Sequence, residues 1–174
     1  MTQQRPDTPP QADDAVAYLE ALHGRLAADG TSVVFEVWDG LPVLVGSRAD
    51  RKAGWFGTRT KLFVHAAAVP SVDAELLARF TAHALAHAKS LRGGIPGARN
   101  VVTALPALIS TDVHPSAVRF AARDAQMLDT SVVGRPVVVQ VGPGVRRTTL
   151  YRGQVPWGGL FTRHVLRKAD LYFP

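Results

Sequence analysis

Gly54–Ala68 reads GWFGTRTKLFVHAAA, Ser71–Leu91 reads SVDAELLARFTAHALAHAKSL, Arg92–Asn100 reads RGGIPGARN, and Val101–Ser110 reads VVTALPALIS. The pattern predicts strand, helix, glycine-rich basic loop and strand. Leu76, Leu77, Phe80, Ala84, Ala88 and Leu91 recur at helical spacing and form one apolar stripe. Asp73 and Glu75 fall in the first turn, where the helix dipole favours negative charge, and Gly93-Gly94 stops the helix. Pro106 interrupts the last strand, and because proline cannot donate to a ladder it predicts an edge or a bulge there.

Towards the N-terminus, residues 1–12 are polar and hold Pro6, Pro9 and Pro10, which predicts a disordered lead-in before one domain over 13–174. Ala15, Leu19, Leu22 and Leu26 mark a helix that starts near Asp13 and Asp14 and ends at Asp29-Gly30. Thr31–Trp38 alternates like a strand, Asp39-Gly40 is a hairpin turn, and Leu41–Val45 is the return strand. Ser47–Gly57 reads as a polar loop. Beyond Ser110, a short helix is expected over His114–Asp124. A hairpin of Val137–Val141 and Arg146–Tyr151 follows, then a last helix over Leu160–Lys168. The expected fold is α+β: one curved, mainly antiparallel sheet packed by two or three helices in a single domain.

The chain has 174 residues, 47% of them apolar, enough to bury a core and to argue against global disorder. No apolar run approaches the roughly 18 residues that span a bilayer, and the first residues lack the apolar core of a secretory signal. A cytoplasmic location is the expectation. There is no cysteine, so disulfides, thiol catalysis and cysteine-ligated metal are excluded. Net charge is +6, unevenly spread: residues 1–50 carry eight acids and three bases, and residues 51–174 carry six acids and seventeen bases. A half that basic attracts an anionic partner, either nucleic acid or an acidic protein surface.

Four groups of residues are candidate sites. Arg48, Arg51, Lys52, Trp55 and Arg59 mix cations with aromatics, which suits phosphates and stacked bases. Arg92 and Arg99 flank the glycine-rich loop, but that loop follows a helix instead of preceding one and lacks the Lys-Ser/Thr of a P-loop. Arg146, Arg147 and Arg152 form a second basic group, which extends a binding surface or pairs with the acidic N-terminal helix across an oligomer interface. His83 and His87 sit one helical turn apart, a spacing that can hold a metal, although no glutamate stands between them. No catalytic motif stands out, and no cofactor is implied.

From residue 13 to residue 110, the order helix-strand-strand-strand-helix-strand resembles the core of PD-(D/E)xK nucleases. That resemblance implies an acid near the second strand and Glu-x-Lys on the third, together holding Mg²⁺. Asp50 stands near the first position, but the third strand offers Arg59-Thr60-Lys61, with arginine where the family needs glutamate. The same element order is similar to that of bacterial secretion chaperones, which bind protein partners. The sequence reading is therefore a non-catalytic, homo-oligomeric module with a basic surface for an anionic partner. The alternatives are a metal-assisted enzyme using His83 and His87, and a structural, self-assembling subunit.

Overall fold

A computed structural model describes residues 10–51, 59–92, 100–129, 132–155 and 159–174. Strand β5 (Asn100–Ser110) is the axis of its sheet. On one side β5 pairs in parallel with β3 (Arg59–Ala68). That strand leads antiparallel through β2 (Leu41–Arg51) to β1 (Ser32–Trp38) at the edge. On its other side β5 pairs in parallel with β8 (Val132–Gly134) and then β9 (Val137–Gly142). These two share one register and behave as a single strand broken at Arg135-Pro136. β7 (Gln126–Asp129) pairs antiparallel with β8, and β10 (Val145–Leu150) pairs antiparallel with β9. Among the described residues these eight strands form one open, mainly antiparallel mixed sheet. A separate two-stranded ribbon joins β4 (Ser71–Val72) to β6 (Asp112–Val113).

Among the described residues four helices cover the sheet. Their apolar stripes face it in two layers because successive strand residues point to opposite faces. On one face α1 (Pro10–Ala28) and α4 (Gly159–Tyr172) bury Leu19, Leu22, Leu26, Val165 and Tyr172 against Leu44, Leu62, Val64, Leu105, Ile109 and Val139. On the other, α2 (Ala74–Ser90) and α3 (Pro115–Arg123) bury Leu77, Phe80, Ala84, Ala117 and Ala121 against Val43, Val45, Ala67, Leu108 and Val138. Each fully buried Leu or Ile contributes about 1.5–3 kcal/mol of hydrophobic stabilisation. No helix among the described residues is long and apolar enough to cross a membrane.

Local signals hold where they were strongest. Asp39 and Gly40 take φ of 51° and 82°, the double left-handed turn that matches strand twist, and Trp38 pairs with Leu41 across it. Asp73 caps α2 by accepting from the Leu76 N–H at 2.8 Å. The β9–β10 hairpin turns at Pro143-Gly144, with Gly144 at φ 69°.

Other expectations need correction. Helix α1 begins at Pro10, within the expected lead-in, because a proline in the first turn loses no intrahelical bond. Pro106 marks no edge, since β5 is central. Ala104 O accepts from Arg135 N at 2.9 Å, and residues two apart point the same way, so the missing N–H of Pro106 faces the break at Pro136. The supposed polar loop is strand as far as Arg51, because Arg48 and Asp50 satisfy one another on one face of β2. β7 and β8 lie in a stretch where no element was expected.

Candidate functional site

Four groupings of polar side chains among the described residues bear on function. The densest lies where the C-terminal end of α1, strand β2 and helix α4 meet. Asp29 accepts from Lys168 Nζ at 2.6 and 2.7 Å, from Tyr172 Oη at 2.5 Å, and from Arg48. Arg48 also grips Asp50, with Nε at 2.9 Å and Nη2 at 2.6 Å, and His164 Nε2 meets Asp50 Oδ2 at 2.8 Å. Burial alone would raise both carboxyls. Lys168, Tyr172 and Arg48 outweigh it at Asp29, and Arg48 with His164 does so at Asp50, so both stay below the usual carboxylate range. Tyr172 moves the other way, since burial and the Asp29 charge both disfavour its phenolate.

A second cluster surrounds Trp38 on the α2 face. His83, exposed, stacks on the indole with centroids 4.3 Å apart and planes 6° from parallel. His87 instead contacts Glu36 Oε2 through Nε2 at 3.4 Å and His65 Nε2 through Nδ1 at 3.1 Å. Trp38 Nε1 donates to the same Glu36 oxygen at 2.8 Å. The proton order follows from acceptor chemistry. A carboxylate can only accept, so neutral His87 carries its proton on Nε2 and its Nδ1 accepts from His65 Nε2–H. That leaves His65 Nδ1 as a bare lone pair in the core, buried and without a hydrogen-bond partner. Burial pushes the His65 pKa down to about 3, helped by repulsion from His87 and His83 whenever those rings are protonated. Among the described residues no group of three or more His, Asp or Glu side chains is placed to hold a metal.

A third feature is Arg135, 2% exposed, at the break between β8 and β9. Its Nη1 and Nη2 donate to Tyr151 O at 2.7 Å and Gly153 O at 2.9 Å, and the guanidinium stands 5.5 Å from the Tyr151 ring centroid. It pins the segment after β10 to the sheet. Burial lowers its pKa, yet a guanidinium keeps its charge at any ordinary pH.

The fourth place is the basic surface. Arg146 and Arg147 are exposed neighbours on β10, an edge strand, and no ion pair holds either of them among the described residues. Arg152 pairs with Asp170 at 2.5 Å. Arg59 is exposed at the start of β3, opposite Arg51 in the ladder, and Arg92 is half-buried just past α2. A cleft of about 380 Å³ is lined by Ser47, Arg48, Ala49, Lys61, Phe63 and Leu91. Lys52, Trp55 and Arg99 lie outside the described residues, as does the side chain of Arg51.

The structure sets both His83 and His87 against the Trp38 ring and turns Arg48 inward to two carboxylates. Within the chain, Lys168 of α4 pairs with Asp29, the residue that follows α1. Sequence reasoning passed over Glu36, His65, His164 and Tyr172 as polar partners. Only the alternation of charge in Arg48-Ala49-Asp50 hinted that one face of a strand pairs with itself. The nuclease-like order is interrupted before α2 by the short β4, which lies outside the main sheet, and Asp50 is engaged by Arg48 and His164. No protein-family model matches the chain, and neither a curated protein nor a solved structure does.

Proposed function

We propose that this protein is a non-catalytic binding module whose partner is an anionic macromolecule, nucleic acid before acidic protein. The observation that carries the reading is the division of charge. Asp29, Asp50 and Glu36 are engaged by partners within the fold, whereas Arg146 and Arg147 stand exposed on an edge strand with no ion pair among the described residues. Arg163 and Arg167 add exposed charge along α4. Cations held in this way are available to phosphates and release counterions on binding.

Fluorescence anisotropy with labelled single-stranded and duplex DNA tests it. Binding should weaken steeply with salt, and Arg146→Ala/Arg147→Ala should reduce the salt slope by about 2 if both contact phosphate. Arg152→Ala should change affinity less, because that side chain is already bound to Asp170. Salt-independent binding, or a double variant with the wild-type slope, would remove nucleic acid from the reading.

One observation favours self-assembly beside it. Strand β1 is an open edge on which Val34, Phe35 and Val37 are 51%, 57% and 71% exposed. Its one acid, Glu36, is held by Trp38 and His87. An unprotected apolar edge pairs readily with a second copy. Light scattering should then show a dimer that Val37→Lys returns to monomer. A monomeric wild type at high concentration would sink this second reading.

A further inference from the structure

We infer that the seam between α1 and β10 is a binding site for a phosphoryl group, formed by Arg25, Arg146, Tyr18 and Thr148. It rests on the binding role proposed above and names the group that one part of the basic surface takes.

The seam follows from register. Thr148 lies opposite Val139 and Arg146 opposite Val141, and both valines face α1. Arg146 and Thr148 therefore point to the same face and meet the α1 residues Tyr18 and Arg25. The Arg25 guanidinium carbon is 4.9 Å from the Tyr18 ring centroid and that of Arg146 is 5.4 Å from it. Arg25 is anchored by Nε, which donates to Tyr172 O at 2.7 Å.

What this cluster lacks is an acceptor. Among the described residues Arg25 Nη2 is a buried donor with no hydrogen-bond partner, and the buried Tyr18 Oη and Thr148 Oγ1 have none beyond each other. Tyr18 as a whole is 4% exposed. Most buried polar groups in proteins find a partner, so an orphan guanidinium N–H beside two hydroxyls that can serve only each other is a departure that calls for a ligand. The charges point the same way. Burial, with the nearby Arg146 charge, lowers the Arg25 pKa, and burial raises that of Tyr18, which stays a protonated donor. No carboxylate forms an ion pair with Arg25 or Arg146 among the described residues.

Two guanidiniums and two hydroxyls are a donor set for an anion with several oxygens and more than one charge. A phosphomonoester supplies three acceptor oxygens and a charge of about −1.5 to −2 at neutral pH, whereas a carboxylate supplies two oxygens and one charge. Arg146 is the exposed member and lies over the Tyr18 ring, so its movement opens that side of the cluster to the ligand.

Calorimetry with inorganic phosphate, against acetate at equal ionic strength, tests the site. Wild type should bind phosphate saturably and acetate much more weakly. Tyr18→Phe and Thr148→Val each remove one hydroxyl while keeping shape, and each should weaken phosphate binding by about tenfold, the scale of a hydrogen bond to a charged group. Arg147→Ala, on the opposite face of β10, should leave phosphate binding unchanged while weakening DNA. Equal heats with phosphate and acetate would overturn the inference, as would wild-type phosphate affinity in a folded Tyr18→Phe variant. DNA binding that survives while phosphate fails removes this site and leaves the binding role. Phosphate binding without DNA binding removes the nucleic-acid reading and leaves a site for a small phosphorylated molecule. A 5′-phosphorylated oligonucleotide that binds about tenfold tighter than its 5′-hydroxyl twin would place the phosphoryl group at a strand end.

Discussion

Replacing Asp29 by alanine should destabilise this fold more than the loss of most single side chains outside the hydrophobic core. Asp29 is the shared acceptor of Lys168, Tyr172 and Arg48. Without it Arg48 keeps Asp50, but Lys168 has no remaining acceptor among these bonds and Tyr172 loses its closest one. The side chains involved are 14–19% exposed, so water reaches them only in part. Breaking a fully buried pair from one side costs about 3–5 kcal/mol, and the residual exposure puts this one near the lower end, about 3 kcal/mol. For a chain of this length that lowers the melting temperature by about 6–12 °C. Urea unfolding should show a lower midpoint with an unchanged slope. Lys168→Met in the same chain should recover part of the loss, because the stranded cation is then gone. A loss below about 1 kcal/mol, the range of surface ion pairs, would refute the reasoning. So would a double variant no more stable than Asp29→Ala alone.

Three further predictions rest on single features. His65 is neutral when folded and has a pKa pushed down to about 3, while the unfolded chain takes up a proton near 6.5. Stability should therefore fall as pH drops below about 6.5, by about 2 kcal/mol at pH 5 from this residue alone, and His65→Gln should flatten that limb of a pH–denaturation series. Asp29 and Asp50 act at lower pH: their stabilisation is complete above about pH 4 and is lost as pH falls through their depressed folded values. Gly134→Ala would set a methyl group 2.8 Å from Leu85 Cδ2, which should cost about 1–3 kcal/mol, and Leu85→Val should recover part of it in thermal melts. Arg135→Lys cannot reach both Tyr151 O and Gly153 O with a planar fork, so hydrogen exchange after β10 should quicken, and unchanged protection there would show that the segment needs no such anchor.

Much of the fold was legible because its signals are local. The stripe of α2, the Asp73 cap, the Asp39-Gly40 turn and the Pro143-Gly144 turn depend on residues within one or two turns of each other. Torsional preference and short-range hydrogen bonding act on that scale. The same reasoning failed at Pro106 and at Ser47–Arg51, where composition argued for an edge and a loop. Neighbouring strands decided otherwise. The break at Arg135-Pro136 faces Pro106, and α1 and α4 supply partners for Arg48 and Asp50.

The candidate sites were harder to read for the same reason. Sequence alone determined that cations dominate the C-terminal part and that His83 and His87 share one helix. It could not pair Lys168 with Asp29, 139 residues away, or His164 with Asp50, 114 residues away. Nor could it set Arg146 and Thr148 beneath Tyr18 and Arg25. Which cations are neutralised and which stay free depends on strand register and on the packing of helices across the sheet. A shift of one residue would turn Arg146 and Thr148 to the opposite face, and only the closed tertiary structure excludes that shift by burying Val139, Val141 and Leu150 under α1.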